Sequence, residues 1–90
     1  MATLSEVKML CKLLVNSRFN FIPKGVHNLE DVQKAVKTFY PTLCDDSIKR
    51  EDNGENEWEH QVRLALQRMQ NKPATKHLNK GKKDGKWQFN

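Results

Sequence analysis

One segment constrains this chain more than any other. From about residue 55 to 71, Trp58, Val62, Ala65, Leu66 and Met69 recur at helical spacing on one stripe about 100° wide, the width of a core-facing helix surface. His60, Arg63, Leu64 and Gln67 fall on the opposite side. Burying a large apolar side chain is worth roughly 1.5 to 3 kcal/mol or more, so Trp58 is expected to anchor whatever the chain folds into. With 90 residues there is room for one such core, and every other element must pack against this helix. Residues 1–90 are therefore read as a single domain.

The remaining elements follow from local signals. Thr3 and Glu6 have the spacing of a capping box ahead of Leu4, Val7, Leu10, Cys11 and Leu14, which predicts a helix over about 4–17. Arg18, Phe19, Asn20, Phe21 and Ile22 alternate polar with apolar residues before Pro23, which predicts a short extended piece or strand with both phenylalanines turned inward. Asn28 opens a helix of about 29–40 with Glu30 and Asp31 in its first turn, where the helix dipole favours negative charge. Its stripe is Leu29, Val32, Val36 and Phe39 or Tyr40, and Pro41 ends it. Thr42 to Glu57 is acidic and irregular, with Asn53-Gly54 as a turn signal, and is read as a loop with one helical turn around Asp45 to Ile48.

Pro73 stops the third helix, because proline cannot continue it. Thr75 to Leu78 and Lys86 to Phe89 then read as two short strands with an Asp84-Gly85 turn between them, a hairpin over about 74–89. Trp87 and Phe89 are two apart and share a face. That face is expected to cover the core, so Trp58, Val62, Leu66, Met69, Trp87 and Phe89 are the expected structural core. The chain stops at Asn90 directly after this strand, the pattern of a domain excised from a longer protein.

Charge is segregated along the chain, which a net charge of +5 conceals. Residues 1–40 hold six Lys/Arg against three Asp/Glu, residues 41–60 two against seven, and residues 61–90 eight against one. Lys76, Lys80, Lys82, Lys83 and Lys86 lie within eleven residues, opposed only by Asp84. Such a run attracts polyanions, nucleic acid being the commonest, with an acidic membrane or protein as rivals. Lysine meets phosphate as a point charge, which positions a protein on a backbone without reading sequence. The competing use of these lysines is to keep edge strands from aggregating.

The order helix, short strand, helix, loop, helix, hairpin is that of an α+β winged helix-turn-helix: three helices, a short strand and a C-terminal β-hairpin wing. Trp58-x-x-x-Val62-x-x-Ala65, the hairpin glycines Gly81 and Gly85, and Gly85-x-Trp87-x-Phe89 resemble the winged-helix N-terminal domain of Mrr-type restriction proteins. More loosely, Trp58…Val62-Arg63 followed by Gly85-Lys86-Trp87 is similar to the third helix and wing of forkhead domains. The resemblance implies binding of duplex DNA, with the third helix in or beside the major groove and the wing on the backbone, selective for sequence, shape or base modification. Arg63 would then pair with guanine, Gln67 and Asn56 with adenine, and His60 and Gln61 with phosphate. Lys76, Lys80, Lys82, Lys83 and Lys86 would hold the backbone. The alternative is a protein-interaction module that uses the acidic 45–59 segment and the outward Leu64.

Other classes find little support. Cys11 and Cys44 form neither a CxxC pair nor a disulfide framework and are read as reduced thiols, with Cys11 buried. They show no ligand spacing with His27, His60 or His77, so neither metal nor cofactor is expected. His60 beside Glu57 or Glu59, or Cys44 with a histidine, lacks a supporting motif, and no catalytic residue or small-molecule substrate is expected. No apolar run reaches membrane-spanning length, and Glu6, Lys8 and Lys12 interrupt any signal-peptide core. The expectation is an intracellular protein without a membrane partner, nuclear if eukaryotic, cytoplasmic or nucleoid-associated if bacterial.

Overall fold

The N-terminal capping box forms. Glu6 N–H donates to Thr3 Oγ1 at 3.2 Å, and Thr3 N–H donates to Glu6 Oε1 at 2.9 Å, so two amides that the first helical turn leaves unpaired are satisfied reciprocally. The computed structural model describes residues 2–69, 75–77 and 86–89, and these form a small α+β domain. Helix α1 (Leu4–Lys8) passes into α2 (Leu10–Ser17) through Met9, whose amide is shared between the carbonyls of Ser5 and Glu6 at 3.3 and 3.1 Å. The helix expected over 4–17 is thus present with one tightened turn inside it.

The extended piece or strand expected at 18–22 is absent, and its phenylalanines explain why. Arg18 and Phe19 both adopt left-handed backbone conformations, with φ of 55° and 52°. Turn hydrogen bonds from Asn20 N–H to Ser17 O (3.1 Å) and from Ile22 N–H to Phe19 O (2.9 Å) curl the segment. A left-handed residue with a side chain costs roughly 1 to 2 kcal/mol, and burial of the Phe19 ring offsets that cost. The Phe19 ring is 1% exposed and meets Phe89 edge-on, with ring centroids 5.6 Å apart. The short strand instead follows Pro23 as β1 (Gly25–Asn28), and Asn28 also precedes α3 (Leu29–Phe39).

The amphipathic helix expected third is α4 (Glu57–Met69). Trp58, Val62, Ala65, Leu66 and Met69 are all buried on it. They share one core with Val7, Leu10 and Leu14 from α1 and α2 and with Val32 and Val36 from α3. After α4 come β2 (Thr75–His77) and β3 (Lys86–Phe89), which pair antiparallel with Thr75 opposite Phe89 and His77 opposite Trp87. Strand β3 also pairs antiparallel with β1, Gly25 opposite Phe89 and Asn28 opposite Lys86, so the sheet order is β1-β3-β2. Along β3 the side chains alternate: Lys86 is exposed, while Trp87 and Phe89 are buried.

The acidic segment between α3 and α4 has more order than a loop reading implies. Asp45 Oδ1 accepts from Ser47 N–H at 2.9 Å and Ser47 Oγ at 2.6 Å, so a turn closed by a side chain stands where a helical turn was expected. Beyond it the chain doubles back in a miniature antiparallel pairing of Lys49 with Asn56. Arg50 N–H donates to Glu55 O at 2.8 Å, and Glu57 N–H donates to Ile48 O at 3.0 Å. Gly54, at φ 70°, supplies the left-handed residue this turn requires.

Candidate nucleic-acid interface

The polar groups of the acidic segment are used to attach it to α4. Asp46 accepts from Lys37 Nζ at 2.6 Å, from the Trp58 indole Nε1–H at 2.7 Å and from Asn56 Nδ2 at 3.2 Å. One carboxylate therefore joins α3, the loop and the buried indole that anchors α4. Hydrogen bonds from Lys37 and then Trp58 hold its carboxyl below the usual aspartate value. The Lys37 ammonium also lies 5.7 Å from the centre of the Trp58 ring.

A second attachment is buried. Glu57 is 4% exposed, and its carboxylate accepts from Arg50 Nη1 at 3.1 Å and from Gln61 Nε2 at 3.0 Å. Arg50 Nε lies 3.3 Å from Asp52 without hydrogen-bond geometry. Gln61, itself 6% exposed, is committed to Glu57, so it does not offer its amide to phosphate as its helical position had suggested. The sequence pattern missed this because Glu57 and Gln61 lie one turn apart and satisfy each other inside, where a periodic stripe of apolar residues registers nothing.

Of the other expected DNA-reading residues, His60, Arg63 and Gln67 are brought together on α4 while Asn56 sits in the bridge just before it, and most already hold partners. Asn56 accepts from Lys49 Nζ and donates to Asp46 and, at 2.5 Å, to Glu59. Arg63 Nη2 lies 2.5 Å from the Glu55 carboxylate, and His60 Nδ1 lies 3.6 Å from the same group. Gln67 is exposed, and its side chain has no hydrogen-bond partner among the described residues. His60, Arg63, Leu64 and Gln67 together line a surface depression of about 190 Å³. Leu64 is half-buried against the core, so less of it is presented outward than the helical pattern implies.

On the sheet, Lys86 stands exposed at the start of β3, and Lys76 takes its place in β2 opposite Gln88. Lys80, Lys82 and Lys83 lie outside the described residues, in the stretch of sequence that joins the paired strands. The two thiols are buried, and burial pushes Cys44 up to about 12, which leaves little thiolate at neutral pH. Among the described residues no three His, Cys, Asp or Glu side chains gather as metal ligands would, and no helix is long and apolar enough to cross a membrane. No family model, curated protein or solved structure matches this chain.

Proposed function

We propose that the domain is a winged helix that binds duplex DNA, with the β2–β3 pair and its lysine-bearing connection as the principal contact and α4 as the helix beside the groove. The observation that carries this reading is the alternation along β3. Trp87 and Phe89 are buried in the core and Lys86 is exposed, so a strand pair joined through Lys80, Lys82 and Lys83 is fixed to the domain by its aromatic face. The element order, with β1 pairing on the far side of β3, supports the same architecture. Contacts by lysine neutralise phosphates without reading bases, and the engagement of Asn56 and Arg63 with acidic side chains favours backbone binding over base reading in the free domain.

The protein-docking alternative has less to draw on, because Glu55, Glu57 and Asp46 already engage Arg63, Arg50 and Lys37. Titration of a labelled duplex across a range of salt concentrations tests the proposal. If about five phosphates are neutralised, log K falls with log salt at a slope of about −4 to −5. Replacing Lys80, Lys82, Lys83 and Lys86 with Glu should abolish binding while the far-UV spectrum is retained. Absence of binding by the unaltered domain at low salt, or binding that survives the charge reversal, refutes the reading.

A further inference from the structure

The depression on α4 has the donors of an anion site, and a carboxylate from outside its lining already pairs with two of them. His60 and Arg63 supply nitrogen donors of the kind that hold phosphoryl oxygens, Gln67 adds an exposed amide, and Leu64 forms an apolar wall. The group now held is internal: the Glu55 carboxylate, contributed by the turn before α4, lies 2.5 Å from Arg63 Nη2 and 3.6 Å from His60 Nδ1. Both carboxylate oxygens meet the same Arg63 nitrogen, a donor for which the oxygens of a phosphoryl group would compete. Glu59, the nearest other acid on the helix, is held by Asn56.

Two acidic side chains of this segment, Glu57 and Glu55, differ in how readily their partners can be replaced. Glu57 is 5% exposed at its side chain and is doubly held by Arg50 and Gln61, so no outside ion reaches it. Glu55, Arg63 and His60 keep side-chain exposures of 20%, 23% and 26%, which leaves their pairing open to solvent and to competing anions. The hairpin is closed by backbone bonds from Arg50, Gly54 and Glu57 that do not use the Glu55 carboxylate.

We propose that His60, Arg63 and Gln67 form a phosphoryl-binding site that Glu55 keeps closed in the free domain, and that an incoming phosphate opens it by displacing the carboxylate. Resting on the duplex-binding reading above, the natural occupant is a backbone phosphate; a free phosphorylated ligand shares the same chemistry. The acidic hairpin then acts as an internal competitor that confines strong binding to ligands able to displace it.

The test uses the whole chain, unaltered and carrying Glu55→Gln, titrated with sodium phosphate at constant ionic strength while the His60, Arg63 and Gln67 side-chain resonances are followed. The variant should show saturable shifts at these three residues with affinity about tenfold above the unaltered domain, the worth of one charge-assisted contact. Adding Arg63→Gln to the variant should remove them. Glu55→Asp, which withdraws the carboxylate but keeps the charge, should give a smaller gain and serves if the Gln variant fails to fold. Shifts that are absent from both folded variants, or that persist without Arg63, overturn the site. In a parallel duplex titration, a steepening of the salt slope by about 0.9 in Glu55→Gln identifies the occupant as a backbone phosphate. An unaltered domain that ignores duplex, with Glu55→Gln still capturing phosphate, refutes the DNA reading and leaves a site for a free phosphoryl ligand.

Discussion

Trp58→Ala should be the most damaging single substitution on α4. The indole is 5% exposed, and an aromatic side chain of this kind buries about 150 to 250 Å², which at about 25 cal/mol per Å² amounts to roughly 4 to 6 kcal/mol. Measured losses for such truncations run about 3 to 5 kcal/mol, so about 4 kcal/mol is a fair working value. Loss of the hydrogen bond to Asp46 adds little, because the Asp46 side chain is 53% exposed and can hydrate. In a domain of this size each kcal/mol shifts the melting temperature by about 4 to 8 °C, so the midpoint should fall by about 16 to 32 °C. Trp58→Phe keeps one packed ring and forfeits the indole N–H together with the contacts of the second ring, a loss of about 1 to 3 kcal/mol. Far-UV thermal melts are the suitable assay, since Trp87 remains as a second fluorophore. A midpoint for Trp58→Ala within about 5 °C of the unaltered domain would refute the claim that burial of this residue anchors the fold. Equal losses for Ala and Phe would show instead that the Asp46 bond is the anchor.

Two further outcomes follow from the electrostatics and the helix cap. Bonds from Lys37 and Trp58 hold the Asp46 carboxyl below its ordinary 3.8, so its contribution is present above that value and is lost as pH falls through the folded one. Urea midpoints should decline below about pH 4, and Asp46→Asn should flatten that decline while costing under about 1 kcal/mol at pH 6, the group being half exposed; an unchanged pH profile in the variant would contradict this. Thr3→Ala removes the acceptor for the Glu6 amide and should lower the melting midpoint by about 5 °C, with faster amide exchange confined to α1. Uniformly faster exchange would show that the cap is not a local device.

Much of the fold was legible because burial on helices and strands has a period. The stripe from Trp58 to Met69 predicted the buried face of α4, the capping box predicted the start of α1, and the two-residue spacing of Trp87 and Phe89 predicted the inward face of β3. Segment 18–22 misled for an equally physical reason. Five alternating residues fit a strand, yet Phe19, half-buried Phe21 and Ile22 all pack on the core, and the chain reaches that arrangement through two left-handed residues. Alternation records which residues are apolar and carries no record of φ.

The segregation of charge, the lysine run around the hairpin and the apolar stripe of α4 are properties of order along the chain, and the sequence alone settles them. Which charges remain available is a matter of distance through space, and only the folded chain decides it. Asn56 and Arg63 read as exposed recognition residues when helical phase is the sole guide. In the folded domain, partners at positions 46, 49, 55 and 59, two of them in the returning acidic hairpin, take up those same side chains. The Trp58 stripe thus stands as read, while its opposite face, expected to be open to DNA, carries a carboxylate of its own. The reason is that periodicity assigns a side chain to a face, whereas an ion pair requires two segments to meet, and that meeting is fixed by tertiary packing.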